Sequence, residues 1–166
     1  MKNRHTFFVI CSILFIWSFG VQSVAAQFSL GGGALYGSQE DFGVNIYGEY
    51  QPQEKFSIKI DGVWWPRTTP DNTSQRFSEV NAELKFLPLS ISKLTFYISG
   101  IAGYHYAGTK VEDEFATYQA STHMSALGAG GGIEYNLGSV SVTLHARTFF
   151  TGFNQTSIGS GIRFNF

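Results

Sequence analysis

The feature that most limits what this chain can become is an apolar period of two residues that restarts along its length. In "FGVNIYGEY", Phe42, Val44, Ile46, Gly48 and Tyr50 share one face, and Gly43, Asn45, Tyr47 and Glu49 share the other. "FSIKIDGVWW" separates Phe56, Ile58, Ile60, Gly62 and Trp64 from Ser57, Lys59, Asp61, Val63 and Trp65 in the same way. "SEVNAELKF" is the clearest case, with Val80, Ala82, Leu84 and Phe86 opposed to Glu79, Asn81, Glu83 and Lys85. Alternation of this kind marks half-buried strands, because successive side chains on a strand point to opposite faces. Segments 28–36, 94–106, 123–135, 140–150 and 156–166 carry it less regularly, which brings the expected strands to eight. After Gln27 no segment holds a helical period for more than a few residues. The connections alternate in character. "QPQEK", "LPLSISK" and "NLGS" read as compact turns, whereas "SQED", "RTTPDNTSQR", "AGTKVEDEFATYQAST" and "TGFNQ" read as loops, so turns gather at one end and loops at the other.

The polarity of the two faces decides between a soluble and a membrane barrel. One face is free of charge over the strand centres. The other collects Glu49, Asp61, Glu79, Glu83 and Glu134 with Lys59, Lys85, Arg147 and Arg163, five acids against four bases, and His105 and His145 share its phase. That phase is also rich in glycine: Gly31, Gly33, Gly43, Gly103, Gly128, Gly130, Gly132, Gly159 and Gly161. An open solvated face has no use for so many missing side chains. A closed eight-stranded lumen does, since it is only wide enough to be filled by side chains, and Tyr47, Trp65, Arg147 and Arg163 each need room opposite. On the apolar face, Tyr36, Phe42, Trp64, Tyr104, Tyr106 and Phe150 gather toward the loop ends, and Phe28, Tyr50, Phe56, Phe86, Phe96, Tyr135 and Phe166 toward the turn ends. Two aromatic girdles around an apolar band are the lipid-facing pattern of a transmembrane barrel. Strands of about 9 to 13 residues match the ~9–11 that cross a bilayer at a tilt. The expected fold is therefore all-β, an eight-stranded antiparallel up-and-down transmembrane β-barrel.

Lys2 and Arg4, the apolar run "FFVICSILFIWSFGV" and the small residues of "QSVAA" before Gln27 form the succession of a secretory signal peptide. Residues 1–26 are thus expected to be the signal and 27–166 a single barrel domain. Removal of Lys2 and Arg4 leaves 9 Lys and Arg against 12 Asp and Glu, a net charge of −3, which gives nucleic acid no basic surface. Cys11, inside the signal, is the one cysteine, so the mature chain has no thiol ligand or disulfide. No cofactor and no metal are expected.

With these features the chain resembles the small bacterial outer-membrane β-barrel proteins of eight strands. The residues that carry the resemblance are "SVAA" before Gln27, "FYISGIAGYHYAG" followed by "ALGAGGGIEYNLG", and the final "GIRFNF". The resemblance implies residence in the cell outer membrane with outer-membrane lipid around the barrel. It also implies that Ile162, Phe164 and Phe166 form a signal read by the barrel assembly machinery during insertion. Loop 107–121, the longest, is the expected contact for an extracellular partner, and its acidic "VEDEF" reads as solvated loop, since its spacing fits no calcium loop. "Asn72-Thr73-Ser74" spells a glycosylation acceptor and "LGAGGG" lacks the helix and Lys-Ser/Thr of a phosphate loop; both read as structure only.

Three readings of function remain. A structural or surface-interaction barrel with a filled lumen and no open pore is the expected one, with Arg147 and Arg163 engaging Glu134, Glu49 or neighbouring lumen carboxylates. A lipid A-modifying enzyme would use His123 and Ser125, which share a face as the His-x-Ser pair of deacylases does. Its carboxylate would have to be Glu134, on the other face and nine residues past Ser125, about 30 Å of strand from it and farther still from His123. A secreted soluble barrel binding a small apolar ligand is the third. Extraction without detergent would identify it.

Overall fold

The computed structural model describes residues 27–38, 42–68, 73–112 and 117–166. The expected signal, the glycosylation acceptor Asn72 and the centre of the acidic loop lie outside them. Eight strands follow one another: β1 (Gln27–Gly37), β2 (Phe42–Gln53), β3 (Phe56–Thr68), β4 (Thr73–Ile91), β5 (Leu94–Glu112), β6 (Thr117–Asn136), β7 (Val140–Phe149) and β8 (Thr156–Asn165). Each pairs antiparallel with its neighbour in sequence, and β1 pairs with β8 from Ser29↔Asn165 to Gly37↔Ser157, closing the barrel. Closure gives every strand a partner on both sides around the ring, as hydrocarbon requires.

Burial alternates along the strands with the period of the sequence. In β2 the buried positions are Gly43, Asn45, Tyr47 and Glu49, and Val44, Ile46 and Tyr50 are exposed. The exposed set elsewhere is equally apolar: Leu30, Ile58, Ile60, Val80, Leu84, Ile98, Leu127, Leu144, Ile158 and Ile162. Charges inside and aliphatics outside is the reverse of a water-soluble barrel, and it is stable where the solvent is lipid. Strands of 10 residues, such as β7 and β8, reach ~33 Å end to end, or roughly 25 Å once tilted, the height of a barrel's apolar band.

The structure corrects the strand ends. Segment 107–121 is not a loop throughout: β5 runs to Glu112 and β6 starts at Thr117, with register Glu112↔Thr117. β4 likewise runs from Thr73 to Ile91, and shifts register between Phe86 and Leu89, where Pro88 lacks a donor. β4, β5 and β6 hold 19, 19 and 20 residues; β4 outruns β3 at the turn end, past Phe56↔Phe86, whereas β6 rises beyond its last β7 pair, Gly128↔Phe149, as one arm of a hairpin with β5. Beyond the bilayer both faces of a hairpin are wet, so the apolar alternation that reveals a strand disappears while backbone pairing continues.

Candidate functional site: the barrel interior and its outer rim

The inward positions of each strand appear in a fixed vertical order. From loop end to turn end, β4 sends inward Phe77, Glu79, Asn81, Glu83 and Lys85; in the opposite direction β3 sends Ser57, Lys59, Asp61, Val63 and Trp65. The lumen is consequently layered, with ions in the lower and middle parts and apolar side chains toward the loops.

At the turn end, Lys85 Nζ lies 2.9 Å from Glu49 Oε2 and 2.5 Å from Glu134 Oε1. Arg163 Nη1 approaches the same two carboxylates at 3.2 and 3.0 Å. Two bases and two acids thus form a neutral quartet drawn from β2, β4, β6 and β8. Ser57 Oγ donates to Glu49 at 2.6 Å, and the Lys85 ammonium sits 4.3 Å from the centre of the Tyr97 ring. Lys59 pairs with Glu83 beside it. Higher up, Arg147 forks between Asp61 Oδ2 at 3.1 Å and Glu79 Oε2 at 2.8 Å, and its Nε donates to Ser157. This last group carries one acid more than bases. Neutral donors offset it: Trp65 Nε1 donates to Glu79 Oε1 at 2.9 Å and Asn81 Nδ2 to Glu79 Oε2 at 3.0 Å. All nine ions are buried to within 8% of full enclosure. Each therefore needs a partner, because an ion stranded in the interior costs several kcal/mol.

Above the ions sits an apolar cap that the charge pattern does not announce. Leu35, Val63, Trp65 and Phe77 form one buried cluster, with Phe153 and Ala107 packed on it; Ile101, Ala126 and Phe149 form a second. Phe153 comes from "TGFNQ", read from sequence as polar loop, and turns its ring 4.9 Å from that of Phe77. His105 is fully buried among these rings, edge-on to Phe149 at 4.6 Å and to Phe77 at 5.6 Å. The signal was present in the inward parity of Leu35, Phe77 and Phe149, all at the loop ends of their strands, with Ile101 inward at mid-strand opposite Glu83. Glycine provides the space the large groups take. A Cβ at Gly43 would stand 2.6 Å from the Trp65 ring, and one at Gly31 would collide with Tyr47.

On the outer surface, His123 is paired in register with Tyr106 and Ser125 with Tyr104, all four facing outward. The His123 ring lies 5.0 Å from that of Tyr106 and 5.7 Å from that of Tyr104, as a member of the upper aromatic belt. Glu134 is on the opposite side of the wall, occupied by Lys85 and Arg163. Among the described residues, the structure does not bring His123, Ser125 and a carboxylate together. Ile162, Phe164 and Phe166 line the outer face of β8, and the Phe166 amide donates to Phe28 O at 2.9 Å, tying the chain end to β1. Among the described residues no group of three His, Cys, Asp or Glu is placed to hold a metal ion.

No family model matches the sequence, and no curated protein does. Solved structures do match. Neisserial surface protein A is 14% identical, superposes with a TM-score of 0.63, and the match covers 85% of this chain and 96% of that one. Ail, the attachment invasion locus protein of Yersinia pestis, solved with the heparin analogue sucrose octasulfate, is 13% identical at a TM-score of 0.65, covering 86% of this chain and all of Ail. A major outer-membrane protein of Thermus thermophilus is 13% identical at 0.62, again over 86% of this chain and all of the other. At such identities the likeness is one of fold.

Proposed function

We propose that this chain, which has the fold of the small eight-stranded outer-membrane β-barrels, works in the bacterial outer membrane as a structural or surface-interaction protein with a sealed lumen and no catalytic centre. The observation that carries the reading is the double filling of the interior. An interlinked ion network, in which each charged side chain meets at least one opposite charge, lies below an apolar cap centred on Trp65, Phe77 and Phe149. A pore lining is hydrated, whereas here Trp65, His105, Asn81 and Ser57 are fully enclosed. The upper hairpin of β5 and β6, residues 107–121, is the part that an extracellular partner would meet. Ile162, Phe164 and Phe166 are proposed to be read by the barrel assembly machinery. Planar bilayers test the seal directly: the refolded protein is expected to add no stable conductance, and reproducible single-channel steps would overturn the closed-lumen reading.

A further inference from the structure

Among the described residues, His105 is the one titratable side chain built into the apolar cap. Its ring is fully enclosed, edge-on to Phe149 and Phe77 and nearly parallel to that of Phe153 at 6.5 Å and 16°. Neither ring nitrogen has a hydrogen-bond partner among the described residues. Buried polar atoms are normally paired, so a fully enclosed ring without a partner calls for a reason. The two rungs of the barrel wall beneath the cap supply one. Asp61, Asn81 and Gly103 are in register across β3, β4 and β5, and Val63, Glu79 and His105 form the next rung toward the loops. Asp61 Oδ1 and Asn81 Oδ1 are also without partners. Asn81 Oδ1 and His105 Nε2 both lie within 3.0 Å of the point where a Cβ on Gly103 would stand, so glycine keeps the two atoms facing one clear space.

The charges that act on the ring are Glu79 from β4 and Arg147 from β7. Its register partner on β6 is Met124, and the connection 150–155 brings Phe153, neither of them titratable. Arg147 is itself divided between Asp61 and Glu79, and this group of three carries one negative charge in excess, whereas the ions below it balance. A proton added to His105 brings the lumen from five acids and four bases to five of each. A neutral imidazole can stay dry among rings. The imidazolium cannot, because it holds a charge and two N–H donors. Nε2 faces Asn81 Oδ1, but Nδ1 has no acceptor within the cap, and water has to meet it. Phe153 is the ring placed to yield. Trp65, Phe77, His105 and Phe149 are held in strands, whereas half-buried Phe153 comes from a connection and follows Gly152, whose φ is 75°.

We infer that His105 is a proton-binding site that operates the cap: on taking up one proton it balances the group of Asp61, Glu79 and Arg147 and draws water past Phe153 into the upper lumen. This regulation rests on the sealed lumen proposed above. The quartet of Lys85, Arg163, Glu49 and Glu134 is paired within itself and stays closed in both states, so the opening is confined to the loop end.

The test uses residues 27–166 refolded in phosphatidylcholine vesicles. They contain two tryptophans, Trp64 on the outer face and Trp65 in the cap. In a W64F background, the emission of Trp65 and its quenching by acrylamide are followed from about pH 8 to about pH 4.5, through the range where histidine changes charge and above the ordinary carboxylate range. A red shift and a severalfold rise in the quenching constant are expected on acidification. W64F/H105F, in which phenylalanine fills the ring space without a proton site, is expected to lose that step. W64F/F153A is expected to be quenched strongly at both ends of the range. Absence of the step in the W64F barrel overturns the inference. An undiminished step in W64F/H105F does so too, since it assigns the proton to a carboxylate, and one in W64F/F153A removes the opening at Phe153. Imidazole nitrogen NMR of the wild type decides the matter even where H105F fails to refold: the His105 ring is expected to gain its second proton across the step, and a ring that stays neutral throughout overturns the inference. Planar bilayers at about pH 8 read the seal itself. Channel steps there refute the sealed lumen, a result distinct from a missing acid step at Trp65.

Discussion

Arg147 shows most directly what a single side chain does inside this barrel. It reaches from β7 across to Asp61 on β3 and Glu79 on β4, and both carboxylates are almost fully enclosed. Its replacement by Met leaves two buried anions with only Trp65 and Asn81 as donors. The expected loss is about 3–5 kcal/mol, read as a lower urea midpoint for the barrel in vesicles by tryptophan fluorescence. Adding Asp61→Asn and Glu79→Gln to Arg147→Met is expected to recover most of that loss, because neutral amides need no counter-charge. No recovery in the triple variant would mean that Arg147 acts through packing on Phe149, whose ring it overlies at 5.5 Å.

At the scale of the element, β5 and β6 divide into a membrane segment and a wet extension. Pairs such as Lys110↔Gln119 and Val111↔Tyr118 hold the extension together without burying an apolar face. Excision of 108–121, with a two-residue Asn-Gly turn joining β5 to β6, is therefore expected to leave the heat-modifiable gel shift of the barrel intact, since the closing contacts of all eight strands lie below the cut. Loss of the shift would show that the extension helps to build the barrel. A second expectation belongs to β6. His123→Ala with Ser125→Ala is expected to leave the acylation pattern of lipid A unchanged by mass spectrometry in expressing cells. The His123 ring belongs to the aromatic belt with Tyr104 and Tyr106, and the carboxylate of Glu134 is across the wall.

For the whole molecule, exposed apolar surface is a requirement of its solvent, and the end of β8 illustrates the difference between stability and assembly. Phe166 is 75% exposed, and its backbone amide donates the hydrogen bond that anchors it, to Phe28 O. Phe166→Ala keeps that bond. It is expected to change the urea midpoint of protein refolded in vesicles by less than ~0.5 kcal/mol, while markedly lowering the amount of barrel recovered in the outer-membrane fraction of cells. Equal recovery of wild type and variant would remove Ile162, Phe164 and Phe166 from any role in assembly.

Position parity along each strand is readable from sequence, because a strand sends odd and even residues to opposite sides whatever its neighbours do. That alone divides Glu49, Lys85 and Arg163 from Tyr50, Phe86 and Phe164, and the girdles and the inside-out polarity follow from it. Where polarity stopped alternating, parity gave no boundary, so the extension of β5 and β6 at "GTKVE" and "TYQAST" was not legible. Nor were the partners inside. Arg147 and Asp61 are 86 positions apart in sequence, and whether they stand level depends on the tilt and stagger of all eight strands around the closed sheet. The same stagger gathers Leu35, Val63, Trp65, Phe77 and Phe149 at one height as a cap. Which side of the wall a residue occupies is a local property of the chain and is written in its order of residues; which residues meet across the lumen is set by the geometry of closure and exists only in the folded barrel.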